Sequence, residues 1–439
     1  MTALKTGLKE NLNQFILLVL VNAFVGGMVG LERSILPVIA QQTFQLEGNT
    51  LLLSFILVFG TAKAISNYFT GYLASFVGRK NLLVIGWLFA LPVPFLLMFA
   101  NDWHLIVLAN LFLGIQQGLC WSSTVIMKID LVGEKNRGLA MGLNEFAGYL
   151  SIALVAYLTS IIAHRFGIRP YPFYTGLVLV ALGLLFSIFL IRDTKWLVAT
   201  EGRSSDIPRL KNIFLDTSFR HKNLSSVTQA GLVNNLNDGM VWGLFPILLA
   251  SKNFNLTQIG IITAIYPASW GISQLYTGRL SDLICRKKLL FWGMLLQGLT
   301  ILLLPLTDTF WGFVFLSIAL GWGTALVYPT FMVAVSEETH PYDRAKSLGV
   351  FRFWRDLGYA LGAIVTGYFA DVLGIPFAII FIGAITICSA LLLQQRMSCH
   401  QTVYNPFLLK RLSTTHPDNS ENHFTCEVTC AQTTYPFPL

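Results

Sequence analysis

Twelve stretches of mainly apolar residues run through this 439-residue chain, and they decide what it can fold into. A helix that crosses a bilayer needs about 20 such residues. The stretches fall near 13–37, 51–75, 82–100, 105–127, 138–163, 173–191, 227–250, 257–280, 288–306, 310–335, 346–370 and 376–393. None shows the ten-residue alternation of an outer-membrane barrel strand, so each reads as a helix. Charged residues are only 12% of the chain against about a quarter in soluble proteins, too few to cover a water-facing surface. The expected fold class is therefore an all-α membrane protein with twelve transmembrane helices. A soluble enzyme, a disulfide-stapled secreted fold and a disordered chain are excluded. The first stretch is too long for a signal-peptide core and lacks a small-residue cleavage site, so it reads as a retained helix.

Lys and Arg set the expected orientation. With the N-terminus inside, 23 of the 30 fall in cytoplasmic pieces, Lys128 among them, and 3 fall outside: Arg165, Arg169 and Lys252. Both termini are then cytoplasmic, and the net charge of +8 reports topology and anionic inner-leaflet lipid, with no nucleic-acid partner. Residues 192–226 are polar and basic and read as a cytoplasmic linker between a bundle at 1–191 and another at 227–393. The tail 394–439 is polar and expected to be disordered.

The two halves repeat. GYLASFVGRK at 71–80 matches GRLSDLICRK at 278–287, an offset of 207 that also pairs Gly114 with Gly321, Arg137 with Arg344 and Gly142 with Gly349. An offset of 212 pairs Asn22 with Asn234, and Gly27, Met28 and Val29 with Gly239, Met240 and Val241. Two six-helix bundles in parallel repeat, with a binding site where they meet near the midplane, are a known transporter plan.

The turn after the second stretch resembles the signature loop of the major facilitator superfamily, Gly-x-x-x-Asp-(Arg/Lys)-x-Gly-(Arg/Lys)-(Arg/Lys). Gly71, Gly78, Arg79 and Lys80 match in the first half; Gly278, Asp282, Arg286 and Lys287 match in the second. The resemblance covers all twelve stretches and implies alternating access, with these loops latching one state. It also implies that helix 2 packs on helix 11 and that helices 1, 4, 7 and 10 surround a central cavity. Two departures stand out: Ser75 occupies the first loop's Asp position and Cys285 the second loop's Gly. The fourth stretch lacks the Arg of many relatives. The fifth lacks the Gly-Pro pattern typical of proton-driven drug antiporters, which lowers the drug-efflux reading.

Eight ionisable residues fall inside the stretches: Glu32, Arg33, Lys63, Glu145, Asp238, Arg352, Arg355 and Asp356. Each would cost about 2.5–3.5 kcal/mol facing lipid, so they must face a cavity or one another. Arg352 and Asp356 stand i,i+4 and can pair on one helix face. Lys63 lies too deep to snorkel, and a contact with Asp356 is expected. Glu145 and Arg352 occupy equivalent repeat positions with opposite charge. Asn234, Asn235, Asn237 and Asp238 crowd the seventh stretch beside Gly239 and Gly243, a composition that favours a locally broken helix. Candidate solute or cavity residues are Lys63, Arg33, Asn22, Trp121, Asn234, Asn237, Tyr328, Arg352 and Arg355. Candidate proton-coupling carboxylates are Asp238 first, then Glu145, Asp356 and Glu32.

All seven His lie outside the midplane of the spans, so proton coupling falls to carboxylates. The six Cys suggest no disulfide framework, with Cys285 and four others in reducing surroundings, cytoplasmic or buried. His423, Cys426 and Cys430 are only a loose metal tract, and neither a metal nor any cofactor is expected. No phosphate-binding Gly-Lys-Ser/Thr loop appears. Gly26, Gly27 and Gly30 suggest close helix packing. The expected function is non-enzymatic: proton-coupled secondary transport of a small polar or charged organic solute across the plasma membrane by a monomer. Export of amphiphilic compounds, or solute sensing without transport, are the alternatives.

Overall fold

The computed structural model describes residues 7–33, 35–36, 39, 43–45, 54–132, 136–197, 207–254 and 256–399, and of Arg33, Ser160, His164, Leu256, Thr257 and Gly260 only the backbone. Twelve long helices follow one another among the described residues: α1 (Leu12–Arg33), α2 (Ser54–Leu73), α3 (Arg79–Ala90, continued as Pro92–Phe99), α4 (Trp103–Val132), α5 (Arg137–Phe166), α6 (Tyr174–Phe189), α7 (Lys222–Ser251), α8 (Leu256–Leu283), α9 (Arg286–Leu303), α10 (Phe310–Glu337), α11 (Pro341–Leu373) and α12 (Ile375–Arg396). α3 is interrupted at Leu91 because Pro92 has no N–H to donate.

Eight of the twelve are apolar enough to cross a membrane on composition alone; α2, α7, α8 and α11 fall short. These four carry much of the buried polar content: Lys63 and Asn67, Asn234 to Asp238, Gln274, and Arg352 to Asp356. Enclosure by other helices lets them hide polar groups that lipid would not tolerate.

The repeat is visible atom by atom. Arg79 bonds Asp130 at 3.2 Å, and 207 positions on, Arg286 bonds Glu337 at 2.5 Å. A Cβ on Gly114 would lie 2.6 Å from the Phe59 carbonyl, and one on Gly321 2.8 Å from its equivalent, Tyr266. Across the halves α2 crosses α11 and α5 crosses α8. A Cβ on Gly71 would sit 2.9 Å from Gly349 Cα, and one on Gly142 2.9 Å from Gly278 Cα. Glycine is required at each crossing, and each pair is the other's repeat image. The expected packing of helix 2 on helix 11 is what the structure has. Gly26 and Gly30 bring α1 onto α5, within 2.2 Å and 2.6 Å of the Gly148 and Ile152 carbonyls for an added Cβ.

Four sequence expectations change. α7 is unbroken from Lys222 to Ser251; the Nδ2 groups of Asn234, Asn235 and Asn237 donate within the fold, and Gly239 serves close approach of the Tyr359 carbonyl. Lys128, counted as a cytoplasmic loop cation, is fully buried inside α4, because that helix runs five residues past the apolar stretch to Val132. Cys285 and Cys399 are joined as a disulfide, Cα atoms 6.0 Å apart, where free thiols were expected. Asn223, at the start of α7, brings the segment after α12 within reach by accepting from the Ser398 N–H at 3.0 Å. The tail therefore stays ordered through Cys399; 400–439, with the loose metal tract, lies outside the described residues.

Candidate functional site

Lys63 projects from the middle of α2, 7% exposed. Its ammonium stands 5.6 Å from the Phe59 and Trp121 ring centroids and 5.7 Å from that of Tyr359, an aromatic box. The expected ion pair with Asp356 does not form. Asp356 is taken by its chain neighbour: Arg355 Nε donates to Oδ1 at 2.8 Å and Nη2 to Oδ2 at 3.1 Å. Asn67 of α2 also donates to Asp356, and Asn235 of α7 does so at 3.0 Å. The expected Arg352–Asp356 pairing is therefore replaced as well. Arg352 instead donates from Nη1 to Ser122 Oγ at 2.9 Å, and Ser122 in turn donates to Asn67. This network runs Arg352, Ser122, Asn67, Asp356, Arg355 and joins α2 and α4 of one half to α11 of the other.

Two further carboxylates lie at its flanks. Glu145 Oε1 accepts from Trp121 Nε1 at 3.0 Å and from Asn144 at 2.6 Å, while Oε2 is buried without a hydrogen-bond partner. Asn144 also takes the buried Lys128 ammonium. Asp238 accepts from the hydroxyls of Tyr266 and, at 3.4 Å, Tyr359. Trp121 and Tyr359 thus each offer a ring to Lys63 and a polar tip to a carboxylate. Tyr149, Trp270 and Tyr328 complete an aromatic stack: Tyr149 lies 5.6 Å from Trp121 and 3.8 Å from Trp270, and its hydroxyl is 3.1 Å from that of Tyr328. Arg355 stands 5.0 Å over the Tyr328 ring.

Lys63, Trp121, Tyr328, Arg352 and Arg355 are brought together, with Glu145 and Asp238 at the margins. Other candidates are not. Asn237 faces α9 and α12, donating to Gln297 at 3.1 Å and accepting from Thr386 at 2.6 Å. Asn22 ties α1 to α4 and α5 through Thr124 and the Asn144 carbonyl, both at 2.8 Å. Asn234 donates to Asn235 at 3.2 Å. Glu32 accepts from Asn110 at 3.1 Å, away from this network, and the Arg33 side chain lies outside the described residues. Sequence reasoning missed Asn67, Ser122, Asn144, Tyr149, Tyr266, Trp270 and Tyr359. Only one signal pointed at any of them: Asn67 stands i,i+4 from Lys63, on the same helix face.

The signature loops act differently in the two halves. Asp282 accepts from the N–H groups of Gly138 at 2.8 Å and Leu139 at 3.0 Å, in the first turn of α5. A carboxylate there satisfies orphan donors and meets the positive end of the helix dipole. In the first half Ser75 only bonds back to the Tyr72 carbonyl at 2.8 Å. The start of α11 is met instead by the segment before α7: Arg209 grips Asp343 through Nε and Nη2, each at 2.6 Å. Gly78 needs its positive φ of 91°, whereas Cys285 at φ −52° does not, so the second loop tolerates a side chain. Lys80 donates to the Ile188 carbonyl at 2.7 Å.

A repeated helical pair with buried charges at its seam defines a membrane transporter, and comparison places it among named families. Residues 17–226 and 227–397 match the Major Facilitator Superfamily, and the chain belongs to that family. It is 30% identical over 151 residues to the inner membrane transport protein YnfM of Escherichia coli, a match that spans 34% of this chain and 36% of that one. It is 23% identical over 318 residues to the proton-coupled antiporter flippase LtaA of Staphylococcus saprophyticus, covering 71% and 76%. It is also 23% identical to the multidrug resistance protein MdtG of Salmonella choleraesuis, over 69% and 74%. The crystal structure of the human organic anion transporter MFSD10 superposes with a TM-score of 0.73 at 15% identity, over 87% of this chain and 99% of that one; this likeness is one of fold.

Proposed function

We propose that the chain is a secondary active transporter that uses a proton gradient to move a small polar or charged organic solute across the plasma membrane, with both termini in the cytoplasm. One observation carries this reading: the buried network that links Asn67 and Ser122 of one half to Asp356 and Arg352 of the other. Groups so costly to bury, placed where two rocking halves meet, belong to solute and coupling-ion binding.

Asp238 is the proposed proton carrier. It is fully buried, and the Tyr266 and Tyr359 hydroxyls can donate to a carboxylate or accept from a carboxylic acid. Both protonation states are thereby solvated. Gradient use by LtaA, as its name describes it, is consistent with this assignment. Export of an amphiphilic compound is the second reading. It is favoured by the Trp121, Tyr149, Trp270 and Tyr328 rings and by the names of MdtG and LtaA.

The test is flux in proteoliposomes against a solute panel, with and without a pH gradient. Asp238→Asn should keep solute exchange and lose accumulation driven by the gradient. Persistent accumulation would move the proton to Glu145 or Asp356; lost binding would make Asp238 a solute ligand.

A further inference from the structure

We infer that the solute is an organic anion, a carboxylate or phosphate monoester on an apolar or aromatic body, held by the open edge of Arg352. The inference rests on the transport reading above and names its substrate class.

Three guanidinium forks can be compared within this one molecule. Arg209 closes its Nε and Nη2 on Asp343, each bond 2.6 Å. Arg355 closes the same pair of nitrogens on Asp356, at 2.8 Å and 3.1 Å. Arg352 spends Nη1 on Ser122, and its Nε and Nη2 are buried with no hydrogen-bond partner among the described residues. Those two N–H groups form the edge that matches two oxygens of one carboxylate or phosphate. Leaving a buried donor unpaired is costly, more so when it is charged, so an open fork at 1% exposure is a site prepared for an acceptor.

Among the described residues no acceptor fills it. Asp356 already accepts from Arg355, Asn67 and Asn235, and Glu145 makes no ion pair with Arg352 among the described residues. Further donors stand nearby: among the described residues Arg355 Nη1 and Trp270 Nε1 are buried and unpartnered, and the Lys63 ammonium stands over three aromatic rings. The charges agree. Lys63, Lys128, Arg352 and Arg355 lie in the electrostatic neighbourhood of Glu145, so four basic groups stand against three carboxylates, Glu145, Asp356 and Asp238. A cationic solute would meet repulsion and no free fork. The Trp121, Tyr149, Trp270 and Tyr328 rings supply the wall for an apolar body.

The experiment uses the purified full chain in phosphatidylcholine nanodiscs, reading tryptophan fluorescence and the thermal unfolding midpoint. The probes are 3-phenylpropionate, phenyl phosphate, the neutral 3-phenylpropionamide and phenethylamine, with hexanoate, hexanamide and hexylamine as an aliphatic set. At least one acid should bind at least tenfold more tightly than its matched amide, and the amines should bind more weakly than either. Arg352→Lys keeps the charge and removes the fork; it should weaken acid binding at least tenfold and leave amide binding unchanged. The acid-to-amide comparison needs no variant, so a poorly folded Arg352→Lys leaves the test intact. Equal binding of acid and amide, preference for an amine, or binding by none of the probes overturns the inference. So does stabilisation by phosphatidylglycerol nanodiscs with no response to soluble acids, which would make a lipid headgroup the occupant. Flux separates the two readings: tight acid binding without transport sinks the transporter and keeps the anion site, and gradient-driven flux of an amine does the reverse.

Discussion

At the scale of single residues, the membrane makes charge legible. Lys63, Arg352, Arg355, Asp356, Glu145 and Asp238 stand out in the sequence because lipid would not accept them, and the fold buries all six. Their partners were not legible. Spacing suggests Arg352 for Asp356, yet Arg355 bends back onto it, because the choice depends on Ser122 and Asn67 arriving from α4 and α2. Lys63 makes no ion pair among the described residues and stands over three rings, and this sets up a test. The rings supply about 0.5–2 kcal/mol, whereas burying an ammonium costs several. Lys63→Met keeps the stem that fills the box and removes the charge. Its unfolding midpoint should stay level or rise by a few degrees, while transport falls at least thirtyfold. Wild-type flux in Lys63→Met would mean that the amine serves only to fill the box.

At the scale of elements, the twelve helices and their repeat could be read from apolar length and the 207-residue offset. The continuity of α7 could not, because glycine beside asparagine reads as a break until the neighbour that needs the close approach is known. The latch is the other case. Ser75 predicts a missing first-half clasp, and the structure supplies Arg209 on Asp343, from a segment that sequence alone marks merely as linker. Both clasps sit where a half meets the start of a helix from the other half or the linker. Asp282 caps α5 from α8, a bond pair worth about 1–2 kcal/mol. Losing it should shift the equilibrium between access states roughly five- to thirtyfold toward opening on that side. In Asp282→Ala, a cysteine placed at buried Ser281 should therefore label several-fold faster. Arg209→Ala should produce a smaller change, since Arg209 is half-exposed and its pair is weakened by solvent. Equal labelling in Asp282→Ala and the parent would mean the cap does not bias the two states.

At the scale of the whole molecule, the same crossing appears twice. Gly71 against Gly349 and Gly142 against Gly278 close one end of the seam by repeat-related contacts, and Asp282 and Arg209 lie at that same end. Which membrane face this end meets rests on charge. Moving the buried Lys128 out of the loop count leaves 22 basic residues on the proposed cytoplasmic side against 3 outside, still a decisive ratio for orientation. Exposed Asn212 lies beside Arg209, and exposed Tyr171 follows Arg169 at the opposite end, between α5 and α6. In a background without native cysteines, Asn212→Cys should react with a membrane-impermeant maleimide only in inverted vesicles. Tyr171→Cys should react only in intact cells. The reverse pattern would put the closed end of the seam outside. It would reverse the proposed orientation, and with it the side from which the open Arg352 fork receives its anion.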